Sequence, residues 1–204
     1  MSSMQSPMVD QYDKELNESL RILIAEDDSA IAMQYKIALE ARNHSVVVTA
    51  DGEQCIKVYS NALKGTGATA GGGSPFDVVV LDYRMPNMDG MEAAKHILAM
   101  NPNQRIIFAS AYVKETLIES VQKLRQIVEF IEKPFRPFLL VGILEDKKTG
   151  AEIERINALI REIKDFRPDA EAIRTLHDAL VKIQKGRDYL IDALDRIEDT
   201  VRRV

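Results

Sequence analysis

Short apolar runs alternate with helically spaced apolar residues along the first two thirds of the 204-residue chain, beginning at Arg21. The runs are rich in β-branched residues and predict five strands, at residues 22–25, 46–49, 78–81, 106–109 and 127–131. Between them, apolar residues recur three and four positions apart, which is the spacing of one helix face. Four helices are predicted on Ile31, Tyr35, Ala38 and Leu39; Cys55, Ile56, Tyr59 and Leu63; Met91, Ala94, Ile97 and Leu98; and Thr116, Leu117, Val121 and Leu124. A fifth helix is predicted after Pro137, because proline suits the first helical turn.

The strand runs are apolar at consecutive positions rather than at alternate ones. Such strands are buried on both faces, which happens when helices cover both sides of a parallel sheet. Five strand–helix units in roughly 125 residues therefore predict an α/β fold with a doubly wound five-stranded parallel sheet. We assign residues 20–147 to this domain.

Two segments outside the periodic pattern are predicted to be irregular. Residues 1–19 are polar and aperiodic, and we expect a disordered N-terminal arm. Residues 65–75 read GTGATAGGGSP, and the first six fit the loose GxGxxA pattern of dinucleotide-binding loops. That pattern needs a strand before it and a helix after it. Because the order is reversed in this chain, we predict a flexible glycine-rich insert instead.

Residues 150–204 carry only helical periodicity and predict a helical hairpin or a coiled-coil extension. A first helix over residues 151–166 would be about 25 Å long, and a second over residues 170–203 about 50 Å. The first can cover only half of the second, so part of the longer apolar seam has no partner within the chain: Leu190, Leu194, Ile197 and Val201. We therefore expect this tail to form a homodimer or to bind another protein. Whether the second helix breaks at Gly186 is left open.

Composition and charge narrow the class of protein. The chain is 46% apolar with a formal net charge of −5, which is ordinary for a globular protein and gives no sign of nucleic-acid binding. Cys55 is the only cysteine, so an intramolecular disulfide and a cysteine zinc cluster are excluded. No apolar stretch approaches the ~20 residues that span a bilayer, and the N-terminus lacks a signal-peptide pattern. We expect a cytoplasmic protein with no membrane partner.

Polar side chains follow four of the five predicted strands at the end where ligands bind in parallel sheets. They are Glu26, Asp27 and Asp28 after the first strand, Asp82 after the third, Ser110 after the fourth and Lys133 after the fifth. Crowded carboxylates repel one another unless a cation joins them, and oxygen-only ligands suit Mg²⁺. With a lysine beside them, they make a site for a phosphoryl group, in which the central Asp82 is the natural nucleophile. Asp28 has a second interpretation, as the N-cap of the first helix.

The same fragments resemble a known family. LDYRMPNMDG at 81–90, EDD at 26–28, SAY at 110–112 and EKPF at 132–135 are similar, in order and spacing, to the response-regulator receiver domain, which has a flavodoxin-like fold. The resemblance implies that Asp82 is the phosphoacceptor. It also implies that Mg²⁺ is bound by Glu26, Asp27, Asp82 and the backbone carbonyl of Arg84.

The resemblance also assigns roles around the phosphoryl group. It implies that Lys133 pairs with the phosphoryl oxygens, that Ser110 hydrogen-bonds one of them, and that Phe130 occupies the aromatic switch position. Arg84 and Tyr112 lie two residues beyond Asp82 and Ser110, at positions that tune attack by water in this family. Both side chains are bulky, so we expect slow self-dephosphorylation.

The resulting expectation is a two-component signalling switch, phosphorylated by a histidine kinase or a phosphotransfer protein, whose tail mediates dimerisation or docks a partner protein. We expect no enzymatic activity beyond autocatalytic phosphotransfer to Asp82 and slow self-dephosphorylation. Two alternatives are open. His177 in the tail could make the chain a phosphorelay intermediate, and a disguised output could make it a DNA-binding transcriptional regulator. The near balance of acidic and basic residues after Gly142 disfavours DNA binding. Glu154 and Asn157 fit the ExxN spacing of some receiver phosphatases, a short pattern that recurs by chance.

Overall fold

The computed structural model describes residues 19–65, 74–112, 123–126, 128–146 and, between 150 and 158, all but 152 and 156. Several predictions fall on other residues and lie outside this description. They are the N-terminal arm, most of the glycine-rich insert, most of the helix predicted after the fourth strand, and the tail beyond residue 158. The tail positions concerned are His177, Leu190, Leu194, Ile197 and Val201.

Five parallel strands form one sheet in the order β2-β1-β3-β4-β5. The elements in chain order are β1 (Arg21–Ala25), α1 (Ser29–Glu40), β2 (Ser45–Thr49), α2 (Gly52–Gly65), β3 (Val78–Asp82), α3 (Gly90–Met100), β4 (Ile106–Ser110), β5 (Glu129–Glu132) and α4 (Pro137–Glu145). The prediction of a doubly wound five-stranded parallel α/β fold is confirmed. β1 and β3 are neighbours, and the crossover between them brings distant parts of the chain together at the sheet's centre.

Two hydrophobic cores lie on opposite faces of the sheet, which explains why the strands read as unbroken apolar runs. Ile22 and Ile24 of β1 pack on one face with α1 and α4. Leu23 and Ala25 pack on the other face with α2 and α3. All four are fully buried. Burying an aliphatic side chain stabilises the fold by about 1.5–3 kcal/mol. Apolar residues are therefore favoured on both faces of each central strand.

Aspartates at two loop ends begin the helices that flank the candidate site. Asp28 accepts hydrogen bonds from the backbone N–H groups of Ala30 and Ile31, at 2.9 and 3.1 Å. Its capping interpretation is therefore confirmed. Asp89 caps α3 in the same way, accepting from the N–H of Glu92 at 2.8 Å. The next residue, Gly90, has to be a glycine. A Cβ at this position would lie 2.2 Å from the carbonyl oxygen of Asp82, so only glycine lets the two backbone segments approach this closely.

Several predicted boundaries differ from the structure. The first four strands are each one residue longer than the predicted ranges. The sequence predicts the fifth strand at residues 127–131, but β5 begins at Glu129, whose ladder partner on β4 is Ile107, and ends at Glu132. Val128 precedes the ladder although its side chain is buried in the core, so its apolar character lengthened the predicted strand. Gly65, assigned to the insert, is the last residue of α2.

The described part of the tail, from Gly150 to Ala158, is helical at each described position. Nowhere in the described chain does a helix combine the length and the hydropathy that a membrane span requires.

Candidate functional site

The acidic side chains predicted to meet do so at the carboxyl-terminal edge of the sheet. β1 and β3 run side by side with Ala25 opposite Leu81. Glu26 follows Ala25 and Asp82 follows Leu81, so these two acidic residues are neighbours. One carboxylate oxygen from each of Glu26, Asp27 and Asp82 lies within 4.8 Å of the others. Glu26 is buried, Asp82 is largely buried and Asp27 is exposed. The group is therefore open to solvent on the Asp27 side.

Lys133 joins two of these carboxylates. Its ammonium Nζ donates to Oε2 of Glu26 at 2.7 Å and to Oδ2 of Asp82 at 2.6 Å. The Lys133–Pro134 peptide bond is cis, and the next residue, Phe135, stacks on Tyr35 of α1 with ring centroids 5.1 Å apart. This ring contact fixes the turn after β5 against α1. Lys133 is thereby positioned on a rigid support.

The electrostatics of the site follow from burial and from an excess of negative charge. The pKa of Glu26 is raised to about 7, chiefly by burial and also by the charge of Asp82, against the lowering effect of Lys133. For Lys133, burial alone would lower the pKa, but hydrogen bonds to Asp82 and Glu26 outweigh it and raise the pKa. The ammonium of Lys133 bonds two of the three clustered carboxylates, those of Glu26 and Asp82, so repulsion within the cluster is only partly relieved.

The donor set fits a magnesium ion. Mg²⁺ takes oxygen ligands at about 2.0–2.1 Å in an octahedron and keeps several waters, so its ligands lie roughly 3–4 Å from one another. Carboxylate oxygens within 4.8 Å can reach that geometry with small side-chain rotations. Glu26, Asp27 and Asp82 are the residues that would hold the ion. The predicted fourth ligand, the carbonyl of Arg84, stays a prediction, since the contact observed from this residue is its N–H donating to Oδ1 of Asp82 at 3.2 Å.

The two residues predicted to switch, Ser110 and Phe130, lie on β4 and β5. The β3–β4 register sets Asp82 opposite Ala109, which puts Ser110 one position further along the edge. Ser110 is buried, and its Oγ accepts from the N–H of Tyr112 at 2.9 Å. Phe130 is buried against Phe108, with ring centroids 6.0 Å apart.

An aromatic row connects the switch position with the acceptor strand. Phe108 contacts Phe130 on one side and, edge to face at 6.1 Å, Tyr83 on the other. Tyr83 directly follows Asp82. The sequence had marked only Phe130 of these three. Tyr83 and Phe108 could be recognised as partners only once the strand register was known.

Arg84 and Tyr112 meet at the mouth of the site. The guanidinium carbon of Arg84 lies 4.5 Å from the centroid of the Tyr112 ring, within the range of a cation–π interaction. The sequence placed both residues near the acceptor but not in contact with each other. Their pairing joins the loop after β3 to the end of β4.

Comparison with known proteins agrees with this geometry. The profile of the response regulator receiver domain matches residues 22–145. Over 122 residues the chain is 32% identical to the transcriptional regulatory protein RprY of Bacteroides fragilis, a match that covers 59% of this chain and 46% of RprY. It is 30% identical over 125 residues to the chemotaxis protein CheY of Thermotoga maritima, covering 61% of this chain and 93% of CheY. The chain thus spans nearly all of CheY but less than half of RprY.

A solved structure supports the same assignment. The CheX–CheY complex with BeF3 and Mg²⁺ from Borrelia burgdorferi contains a chain that superposes with a TM-score of 0.51 at 26% identity, covering 64% of this chain and 89% of that one. The sheet order, the acidic cluster with its lysine and the match over residues 22–145 lead to one conclusion. The chain belongs to the response regulator receiver domain family, the phosphorylation-controlled switches of two-component signalling, which bind Mg²⁺ at an acidic pocket.

Proposed function

We propose that Asp82 accepts a phosphoryl group from a histidine kinase or a phosphotransfer protein, and that the resulting change is passed to the tail. The observation that carries this proposal is the position of Lys133 Nζ, 2.6 Å from Asp82 and 2.7 Å from Glu26. From this position, Lys133 can neutralise the oxygens of a phosphoryl group attached to Asp82.

The chemistry is a displacement at phosphorus. A carboxylate oxygen of Asp82 forms a bond to phosphorus, the N–P bond of the phosphohistidine breaks, and the imidazole of the donor keeps the electron pair and takes up a proton. The product is an acyl phosphate on Asp82. Mg²⁺ supplies positive charge that neutralises the phosphoryl oxygens. Lys133 holds the phosphoryl group from the opposite side, and the hydroxyl of Ser110 turns toward one of its oxygens.

The proposal is tested with a small phosphodonor, acetyl phosphate, and Mg²⁺, with intact mass measured over time. We expect one added phosphoryl group on the wild type and none on Asp82→Asn. Asp27→Asn should need far more Mg²⁺, whereas Asp28→Asn serves as a matched control because its carboxylate caps α1. Phosphate on Asp82→Asn, or equal Mg²⁺ requirements in Asp27→Asn and Asp28→Asn, would overturn the assignment.

The tail carries the response to phosphorylation in this proposal. Its predicted apolar seam, with Leu190, Leu194, Ile197 and Val201, supports homodimerisation or docking of a partner protein. Light scattering with and without beryllofluoride, a phosphoryl mimic, tests this on the full chain and on a chain ending before Asp169. Equal oligomeric mass for both chains would reject dimerisation through the tail. We expect no enzymatic activity beyond phosphotransfer to Asp82 and slow self-dephosphorylation.

A second candidate is suggested by one comparison. RprY is named a transcriptional regulatory protein, although the match covers only 46% of it. Salt-dependent retention of the full chain on DNA would favour this output over protein docking. A phosphorelay through His177 is separable from both, because phosphopeptide mapping would find phosphate in the tail.

A further inference from the structure

The amino-terminal edge of the sheet, far from Asp82, contains a second cluster of charged side chains. Arg105 precedes β4, and its Nε and one terminal nitrogen donate to the two carboxylate oxygens of Glu129 at 2.6 and 3.0 Å. The side chain of Glu129 is 5% exposed. This ion pair ties the start of β5 to the start of β4.

Arg105 also holds the end of α4. Its terminal nitrogens donate to the carbonyl oxygens of Leu144 and Ile143, at 2.9 and 2.8 Å. These carbonyls belong to the last turn of the helix, where backbone acceptors lack helical partners. One guanidinium therefore connects β5 with the helix that leads into the tail.

The first helix of the tail lies against this same arginine. A Cβ on Gly150 would be 3.0 Å from Arg105 Nε, so the absence of a side chain lets the helix approach closely. Ile153 is half-buried and Asn157 is buried, whereas Ala151, Glu154, Arg155 and Ala158 are exposed. Residues 150, 153 and 157 are spaced three and four apart, so they form one helix face that is turned to the receiver.

A groove of about 300 Å³ lies between the two surfaces. Its walls come from the starts of β4 and β5, with Gln104, Arg105, Gln126 and Glu129, and from the tail helix, with Ile153 and Asn157. Gln104, Gln126 and Glu129 are buried like Asn157. Apolar residues, among them Val128 and Ile153, line the groove together with these polar ones, and the tail contributes a buried polar residue, Asn157, to it.

We propose that this amino-terminal edge is the docking surface for the tail's first helix, with the Arg105–Glu129 pair as its anchor. Asn157 positions the helix there. The anchor binds the tail to β5, which carries Phe130 immediately after Glu129 and leads to Lys133. A displacement of β5 on phosphorylation then reaches the tail through Arg105, a step that rests on the proposed function.

Hydrogen–deuterium exchange on the full chain tests the docking itself. We expect amides of residues 150–158 to be protected in the wild type and to exchange at least about tenfold faster in Asn157→Asp. Position 157 is buried, and a buried carboxylate without its own counter-charge is unfavourable. Ala158→Asp is the matched control, because it adds the same charge one residue further on at an exposed position, and should leave protection unchanged. Equal exchange in the two variants, or no protection in the wild type, would overturn the docking surface.

The coupling is tested by adding beryllofluoride and Mg²⁺ to the same proteins. In the wild type we expect exchange to change both around Asp82 and at residues 150–158. In Arg105→Met the change around Asp82 should persist and the change at 150–158 should be lost, while Arg42→Met, which breaks an ion pair outside the groove, should keep both. No response around Asp82 in the wild type would contradict the proposed function. A response there with none at 150–158, or one that survives Arg105→Met, would contradict the coupling alone.

Discussion

The two edges of the sheet differ in how completely their charged side chains are neutralised. At the carboxyl-terminal edge the carboxylates of Glu26, Asp27 and Asp82 lie together, and the ammonium of Lys133 bonds two of them, Glu26 and Asp82. At the amino-terminal edge, Arg105 is matched by Glu129 and makes two further bonds to backbone carbonyls. Each cluster contains a buried glutamate, Glu26 or Glu129, so burial of a carboxylate alone does not distinguish them.

The difference shows which cluster can react. A buried carboxylate without a matched cation is unfavourable, and the raised pKa of Glu26, about 7, expresses that cost. A bound cation can relieve it. At the other edge the charges of Arg105 and Glu129 already neutralise each other, so a ligand would not lower the electrostatic energy there. The bonds of this pair connect β4, β5 and α4. Four predictions test this contrast.

The largest effect is expected for Lys133→Met. The variant removes the positive charge that faces the developing phosphoryl oxygens, and losing one such electrostatic partner reduces a rate by about 100- to 1,000-fold. The measurement is the rate of Asp82 phosphorylation by acetyl phosphate at saturating Mg²⁺. Lys57→Met is the control, because Lys57 makes only an exposed pair with Glu53 on α2. A loss below about tenfold would show that the lysine is not part of the reacting site.

The next effect concerns stability at the amino-terminal edge. Glu129→Gln leaves the guanidinium of Arg105 without its counter-charge, and we expect a loss of about 2–3 kcal/mol in the free energy of unfolding, since breaking a buried pair is strongly destabilising. Glu145→Gln is the matched variant. Glu145 is also bound by an arginine, Arg42, at 3.1 Å, but that pair is partly exposed and should contribute less than about 1 kcal/mol. Urea unfolding measures both, and equal losses would contradict the distinction.

These two clusters differ in how far the sequence could predict them. The acids and Lys133 were predictable because each follows a strand, and parallel strands deliver their ends to one edge. The bond from Lys133 to Glu26 was not, because the resemblance assigned the lysine only to the phosphoryl group. The longer glutamate side chain at position 26 can reach the ammonium, and burial holds the two together.

The amino-terminal cluster was missed altogether. Glu129 lies inside a run that was read as a buried apolar strand, and its partner is 24 residues earlier in the chain. Only the register, with Ile107 opposite Glu129, brings Arg105 within reach. The position of Asn157 was not predictable either. The sequence suggests only its ExxN spacing with Glu154, and no local pattern indicates that a polar residue of a helix is buried.

A smaller effect is expected from pH. Glu26 has a pKa raised from 4.5 to about 7 in the folded, metal-free protein, so the folded state holds a proton that the unfolded chain releases above pH 4.5. Its contribution to stability is therefore full below pH 4.5 and is lost as pH rises toward 7. Mg²⁺ binding needs the ionised form, so affinity should rise about tenfold between pH 6 and pH 8. Calorimetric titration measures this, and Glu26→Gln should bind weakly with a flat pH profile. A flat profile in the wild type would show that Glu26 is already ionised at pH 6.

The smallest effect is expected at the mouth of the site, where Arg84 and Tyr112 are in contact at 4.5 Å. If the pair shields the acyl phosphate from water, Arg84→Ala and Tyr112→Ala should each shorten its lifetime. The double variant should then be less than additive, because either substitution already breaks the contact. Since Tyr112 is 49% exposed, we expect a coupling of about 0.5–1 kcal/mol, or about two- to fivefold in the hydrolysis rate. The measurement is the decay of phosphorylated protein after removal of the donor. Strictly additive effects would show that the two side chains act separately, and a wild-type half-life of seconds would show that neither slows hydrolysis.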